Sequence, residues 1–321
     1  MMERHMHISP KFTARQWAAY ILLCAIWGST WLAIRVAVHD LPPIGAAALR
    51  FLLAAIVLAV FTIVRGYSWP KSRAEWIPQI VLSVSMMAVP FGLLFWAEQY
   101  IMAGMAAVLY ATIPIMVAIF NPMVGGHIPD RRTMFSMLIA MSAVGYIFQS
   151  QFSTSRMSLI GGAAVMVAAV CCAFSAIYAK KHHEVHPAVS TCVQLVLGGV
   201  LLFGVARLVE PDASWNWSKP ASIALAYMVV FGSAVAFAVY YWLLRQVEAW
   251  QASSTSLIVP LVAIYLDASL AQEHVPWDVV AASVLVIVSV GVVLRPEPSD
   301  PIALELTKFM QESKLSNEEP R

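Results

Sequence analysis

Long apolar runs separated by short polar stretches make up almost the whole chain. Ten runs of about 20 residues, the length that crosses a hydrocarbon core, fall at 17–38, 44–64, 77–97, 103–125, 134–152, 159–179, 188–208, 223–244, 252–271 and 276–294. They are continuous rather than alternating, so they do not read as barrel strands. The pattern predicts an all-α integral membrane protein of ten transmembrane helices. The connecting stretches are too short to hold a soluble catalytic domain. The first run exceeds the apolar part of a signal peptide, and no small-residue cleavage site clearly ends it, so it predicts a retained helix.

Composition narrows the class further. Apolar residues make up 60% and charged residues 12%, with a mean hydropathy of +0.74. A soluble domain carries about 25% charged residues. A soluble enzyme, a disordered chain and a nucleic-acid binder are excluded. Cys24, Cys171, Cys172 and Cys192 all sit in apolar runs without metal-ligand spacing, so neither a disulfide framework nor a metal site is predicted, and no cofactor. His182, His183 and His186 lie beside Lys180 and Lys181 in one loop and read as a solvated basic stretch.

The basic residues orient the bundle. With the N-terminus in the cytoplasm, Arg4, Lys11, Arg15, Arg65, Lys71, Arg73, Arg131, Arg132, Lys180, Lys181, Arg245 and Arg295 fall on the inner side. The outer loops then keep only Arg156, Arg207 and Lys219. The positive-inside rule puts both termini in the cytoplasm of a multi-pass inner-membrane protein. Trp69, Trp76, Trp215, Trp217 and Trp277 lie near span ends, as in an interfacial aromatic belt.

The two halves match at an offset of 146 residues: Phe91 with Phe237, Trp96 with Trp242, Pro114 with Pro260, Gly145 with Gly291. With small gaps Pro43 meets Pro187, and Arg50 falls near Gln194. Five spans per half is an odd number, so the second half enters from the opposite side. That predicts an inverted repeat, a common basis of alternating access. The chain divides into an N-terminal cytoplasmic segment (1–16), a first five-helix repeat (17–152), a second (153–295) and an acidic cytoplasmic tail (296–321). Residues 304–315 of the tail are weakly amphipathic and read either as disordered or as a surface helix.

Trp27-Gly28-Ser29-Thr30-Trp31, Pro42-Pro43 and Ala48-Leu49-Arg50-Phe51 resemble the EamA-type drug/metabolite transporters. So do Glu98-Gln99-Tyr100 running into Ala106-Ala107-Val108-Leu109, and Pro114. The resemblance covers about 17–295. It implies two homologous five-helix halves and export or exchange of small metabolites. Gly126-His127 and Gln272-Glu273 depart from the Gly-Glu pairs of many members, which bears on substrate subtype.

Candidate site residues follow from what is costly inside a membrane. Arg50 lies inside span 2 at an insertion cost of about 2.5–3.5 kcal/mol. It can grip a substrate carboxylate or phosphate, pair with Asp267, or snorkel. Asp267, the one acid deep in span 9, can carry a coupling proton or neutralise Arg50. Glu98 at the end of span 3 reads as a rim or packing residue, and as a second candidate for either role. Arg35 reads as an interfacial anchor. With Glu273, these charges suggest an outer vestibule. Trp27, Thr30, Trp31, Phe95, Trp96, Tyr110, Gln194 and Tyr241 are candidate walls of a mostly apolar cavity, with simple helix packing as the alternative. Pro114 and Pro260 are candidate hinges, since each removes a helix hydrogen bond.

The expected function is a secondary carrier of a small amino-acid-like or amphipathic solute, with proton coupling and oligomeric state open. The alternatives are a broad efflux carrier for hydrophobic compounds and a membrane-embedded enzyme acting on lipid-linked substrates. The chain lacks the clustered acids or histidines such an enzyme needs.

Overall fold

A computed structural model describes residues 12–101, 103–126, 128–149, 155–272 and 274–295. His127, Glu273, the N-terminal eleven residues and the tail from 296, with its amphipathic stretch, lie outside the described residues. Among these the chain is helical and holds no strand. The rods are α1 (Ala14–Asp40), α2 (Pro43–Val64), α3 (Arg73–Ala97), α4 (Met105–Val124), α5 (Arg131–Ile147), α6 (Arg156–Lys181), α7 (Pro187–Val209), α8 (Lys219–Gln246), α9 (Ala249–Leu270) and α10 (Trp277–Val293).

Eight of them are long and apolar enough to cross a membrane. The exceptions are α5 and α10, at 17 residues each. At 1.5 Å per residue they span roughly 26 Å, short of a hydrocarbon core of about 30 Å. The sequence runs at 134–152 and 276–294 reach past the ends of these helices, and residues 150–152 of the first lie outside the described residues. The two short rods pack on each other, and Tyr146 Oη donates to Asp278 at 3.1 Å.

Local chemistry sets the helix starts. Thr13 and Gln16 form a capping box before α1. The side chains of Ser72, Asp130, Ser155 and Ser218 accept the first free N–H groups of α3, α5, α6 and α8, satisfying donors that no helix can satisfy itself. Pro43 and Pro187 occupy first turns, where a missing N–H costs nothing.

Four rods are irregular inside. Ser83–Ala88 of α3 and Met228–Val235 of α8 are π-helical, at matching places in the two halves. Rod α4 breaks at Ala111–Thr112 and resumes as Ile113–Phe120, with Pro114 in its first turn. Rod α9 breaks at Ser254, and Pro260 lies inside the continuous helix that follows. The two prolines are therefore not equivalent as hinges. Pro114 follows a break that already frees its turn, whereas Pro260 withholds an N–H from an intact helix.

The packing has a simple rule. The nine most extensive contacts between rods are α2–α7, α4–α9, α5–α10, α1–α8, α1–α9, α2–α8, α3–α6, α4–α6 and α3–α7. Raising each number by five turns every pair into another of the same set. Two close approaches fix this arrangement. A Cβ on Gly28 of α1 would stand 2.4 Å from Val262 Cβ of α9, and one on Gly198 of α7 would stand 2.6 Å from Met87 Cβ of α3.

Polar contacts tie both ends of the bundle, at the upper end across the halves. At the upper end, where α1 meets α2, the Glu210 carboxylate accepts from the Ile44 and Gly45 N–H groups at 2.9 Å each. This is a favourable place for a negative charge, at a helix N-terminus. Asp40 accepts from the Ser218 hydroxyl nearby. At the lower end Lys180 reaches Glu248 at 3.5 Å, and Arg245 donates to the Val185 carbonyl. His186 caps α7 and stacks on Tyr67 at 3.8 Å. Its burial and then the Arg245 charge hold it below the usual histidine range. No group of three metal-ligating side chains occurs among the described residues.

The glycine contacts give a direct check. Gly28→Leu should lower thermal stability in detergent by about 1–3 kcal/mol or abolish folding, as overpacking does. Gly145→Ala should have little effect, because nothing lies within 4 Å of its Cβ position. Melting of the purified variants by size-exclusion recovery measures both.

Candidate functional site

A cavity of about 120 Å³, counted as space open to water centres, lies where α1, α2, α3, α4, α6, α8 and α9 meet. That is well above the roughly 10–15 Å³ a single water needs, so the cavity has room for several. Its walls are mostly aromatic and aliphatic: Trp27, Trp31 and Ile34 of α1, Met86, Phe91 and Leu94 of α3, Tyr110 of α4, Phe237 and Tyr240 of α8, and Val259 and Pro260 of α9. Polar groups are few: Thr30, Arg50, Ser253, Thr255 and Ser256, with the tyrosine hydroxyls.

The aromatic walls hold one another. Trp27 meets Tyr240 at 5.3 Å and Phe237 at 5.8 Å between ring centres, and Trp31 meets Tyr110 edge-on at 6.1 Å. Such edge contacts favour the ring quadrupoles. Trp27 and Trp31 are one turn apart on α1 and so share a face.

Arg50 is the one charged residue among the walls, and it is 1% exposed. It reaches from α2 into the π-helical segment of α8. Its Nε donates to Ser233 Oγ at 2.7 Å, Nη2 to the Gly232 carbonyl at 3.0 Å, and Nη1 points to Met228 Sδ at 3.8 Å. The guanidinium also lies over Phe91 at 5.3 Å and Phe51 at 5.7 Å, a favourable cation–π placement. Gly232 makes room for it, since a Cβ there would stand 3.2 Å from Nη2 and 2.7 Å from Thr30 Cγ2. A guanidinium has five N–H donors. Three are used here, so two remain.

Other sequence candidates lie elsewhere. Asp267 is not the partner of Arg50. It pairs with Arg35 at 3.1 Å, across α1 and α9, with both side chains partly exposed. Arg50 is held by neutral groups, with no acid among its hydrogen-bond partners. Arg35 is therefore half of an ion pair and not a free interfacial anchor. Phe95 is fully buried away from the cavity, and Trp96 meets Tyr100 at 5.0 Å with the two rings tilted. Gln194 and Tyr241 belong to a separate buried network. Ser190 Oγ donates to Gln79 Oε1 at 2.6 Å, Gln194 Nε2 donates to the same oxygen at 2.9 Å, and Tyr241 Oη donates to Gln194 Oε1 at 2.6 Å. This network ties α3, α7 and α8 together below the cavity. Pro114 is not a wall, although Ile113 beside it is.

Phe91, a wall here, is also a candidate from the sequence, whereas Phe237 and Tyr240 are not. The match of Phe237 to Phe91 across the offset was the signal available for Phe237. Three buried polar atoms have no hydrogen-bond partner among the described residues: Tyr110 Oη, Ser253 Oγ and Glu98 Oε1. The first two belong to walls of the cavity.

Comparison with known proteins gives a consistent picture. The pattern of the EamA-like transporter family matches residues 15–149 and again 159–295. The inner membrane transporter YedA of Escherichia coli is 28% identical over 87% of this chain and 92% of its own length. PagO of Salmonella typhimurium is 27% identical over 77% and 82%, and the transporter YoaV of Bacillus subtilis 23% over 83% and 92%. A solved crystal structure only 14% identical superposes with a TM-score of 0.75 over 88% of this chain and 96% of that one, a likeness of fold.

The Arg50 seat can be tested without any solute. Ser233→Ala removes a hydrogen bond to a buried charge and should cost about 1.5–3 kcal/mol. Ser222→Ala, which removes only a back-bond within α8, should cost well under about 1 kcal/mol. Thermal melts of the two variants in detergent compare them.

Proposed function

This chain belongs to the EamA-like transporter family, is a multi-pass membrane protein, and shares transport as its general function with its relatives; on that premise we propose that it is a secondary carrier. Its solute is a small, amphipathic, amino-acid-like metabolite, exported from the cytoplasm by alternating access. One observation carries this: an apolar cavity between the two halves with a single seated guanidinium that keeps two donors spare. Aromatic walls suit an apolar body, and the guanidinium suits a carboxylate.

In this proposal each half, 17–152 and 153–295, is one inverted repeat, and all ten rods cross the membrane. The thin pair α5–α10 does so by local thinning or tilt at modest cost. The lower end, with Lys180, Arg245, Arg65 and Arg15, faces the cytoplasm, as the positive-inside rule requires. The family pattern repeated at 15–149 and 159–295, and the packing rule that maps α1–α8 onto α6–α3, both support the symmetry.

Flux in reconstituted vesicles against a panel of amino acids, organic acids and hydrophobic amines tests the proposal. Carriage of amino acids by the intact chain is the expected result. Carriage of hydrophobic amines alone would favour a broad efflux carrier. Arg50→Lys should cut flux about 10- to 100-fold at normal protein level, the loss of one or two charge-assisted hydrogen bonds. Trp31→Ala should lower flux more than it lowers protein yield.

Topology is checked separately. Reporter fusions after Pro70, after Arg156 and at the C-terminus should read inside, outside, inside. An external C-terminus would remove the inverted repeat.

A further inference from the structure

Glu98 ends α3, one helical turn above Leu94, which is a wall of the cavity. Its Oε1 is buried and has no hydrogen-bond partner among the described residues. A buried carboxyl left unpaired in this way is costly unless it is protonated or met by a ligand.

The charges around it come from two neighbouring rods. Arg35 of α1 and Arg50 of α2 are the charges that reach it. From α4 comes Tyr110, whose own hydroxyl is buried and unpartnered. Neither guanidinium makes an ion pair with Glu98. Arg35 is held by Asp267 at 3.1 Å, and Arg50 by Ser233 and Gly232 at 2.7 and 3.0 Å. Arg35 and Asp267 cancel each other. Beside the cavity this leaves one positive group, Arg50, with two spare donors, and one carboxyl, Glu98, with a spare oxygen. They stand apart, each short of a partner of opposite charge. A solute with a carboxylate at one end and an ammonium at the other completes both.

Resting on the transport reading above, we propose that Glu98 is an exchange carboxyl: it holds a proton in the solute-free protein and releases it when the ammonium group of a solute takes its place, the solute's carboxylate being held by Arg50. The ammonium donates one N–H to Glu98 Oε1 and another to Tyr110 Oη. The displaced proton leaves to water. Charge balances, because a zwitterion of net zero charge enters as one proton departs. No covalent bond to the solute is made or broken. The proton and the solute therefore compete for one carboxyl, and their movements are coupled in opposite senses. Tyr110 is a positioning residue in the same arrangement.

The experiment uses the full chain in detergent, weakly buffered, with a pH indicator. The probes are L-leucine, L-phenylalanine, N-acetyl-L-leucine, which lacks the ammonium, and L-leucinamide, which lacks the carboxylate. Binding is read independently by tryptophan fluorescence, through Trp27 and Trp31. The free amino acids should bind and release about one proton per chain, and their apparent affinity should rise about tenfold per pH unit while Glu98 is protonated in the solute-free protein. N-acetyl-L-leucine should bind without proton release, and L-leucinamide should bind at least about tenfold more weakly than L-leucine, a loss of about 1.4 kcal/mol. Glu98→Gln should bind amino acids more weakly, without proton release and with a flat pH profile, and should keep N-acetyl-L-leucine. Glu98→Asp, which keeps a carboxyl, should restore proton release and confirms that the fold tolerates change there.

Binding of L-leucine without proton release, or proton release that persists in Glu98→Gln, would overturn the inference and leave the transport reading standing. Vesicle flux that ignores the solute's ammonium group would do the same. Absence of flux for every panel solute would overturn the transport reading and this inference with it.

Discussion

A polar atom inside a hydrocarbon layer has to find its partner within the protein, because no water is there to serve. Most of the interior follows from that. Serine and threonine hydroxyls along the rods bond back to carbonyls three or four residues earlier, as Thr30 does to Trp27, Ser85 to Val81 and Thr191 to Pro187. The larger polar groups cannot be satisfied so locally and instead join rods. Arg50 ties α2 to α8, and the Gln79–Ser190–Gln194–Tyr241 network ties α7 to α3 and α8. In each case the long polar side chain on one half binds a rod of the other, so the satisfaction of these groups is also what holds the halves together.

The two ties differ in kind. The lower network is neutral, and its members occupy one another's donors and acceptors. Side-chain amides and hydroxyls can exchange such bonds with water at modest cost. The upper tie is a charge with donors left over, beside a carboxyl oxygen left bare. Polarity in this bundle is thus closed below the cavity and open beside it, and the few unpartnered atoms gather where a solute can reach them or stand one turn away.

Much of the fold was legible in the sequence. Apolar runs located the rods within a few residues, because hydrocarbon thickness dictates their length and because Pro43, Pro187 and the capping serines mark their starts. What runs of apolar residues do not encode is rotation about the helix axis, and that decides the site. Trp27, Thr30, Trp31, Arg50 and Tyr110 were readable because they stand out chemically and repeat at helical spacing. Phe95 shares a helical face with Phe91 but sits one turn off in depth. Asp267 was assigned to Arg50 because both are rare charges, yet Arg35 is the cation its own depth brings near. Gln194 was placed by its match to Arg50; its partner Gln79 lies 115 positions away in the chain, and nothing in the sequence joins them.

The π-helical stretch Met228–Val235 has a further effect on what α8 presents. A π turn holds one residue more than an α turn, and each residue is worth about 100° of rotation. Everything after the stretch is therefore out of phase with everything before it. Counting by 3.6 along α8 from its first turn gives the wrong face for its last one. Beyond the stretch Tyr240 borders the cavity, and Tyr241, about 100° further round the rod, faces the glutamines. The inserted residue works as a gear setting on a shaft: Gly232 and Ser233 inside the stretch grip Arg50, and about two turns later the same rod presents Tyr240 and Tyr241. A single-residue deletion that closed positions 228–235 to an α-helix would leave the composition of α8 almost unchanged and keep both tyrosines facing as they do, yet remove the π turn from which Gly232 and Ser233 hold Arg50.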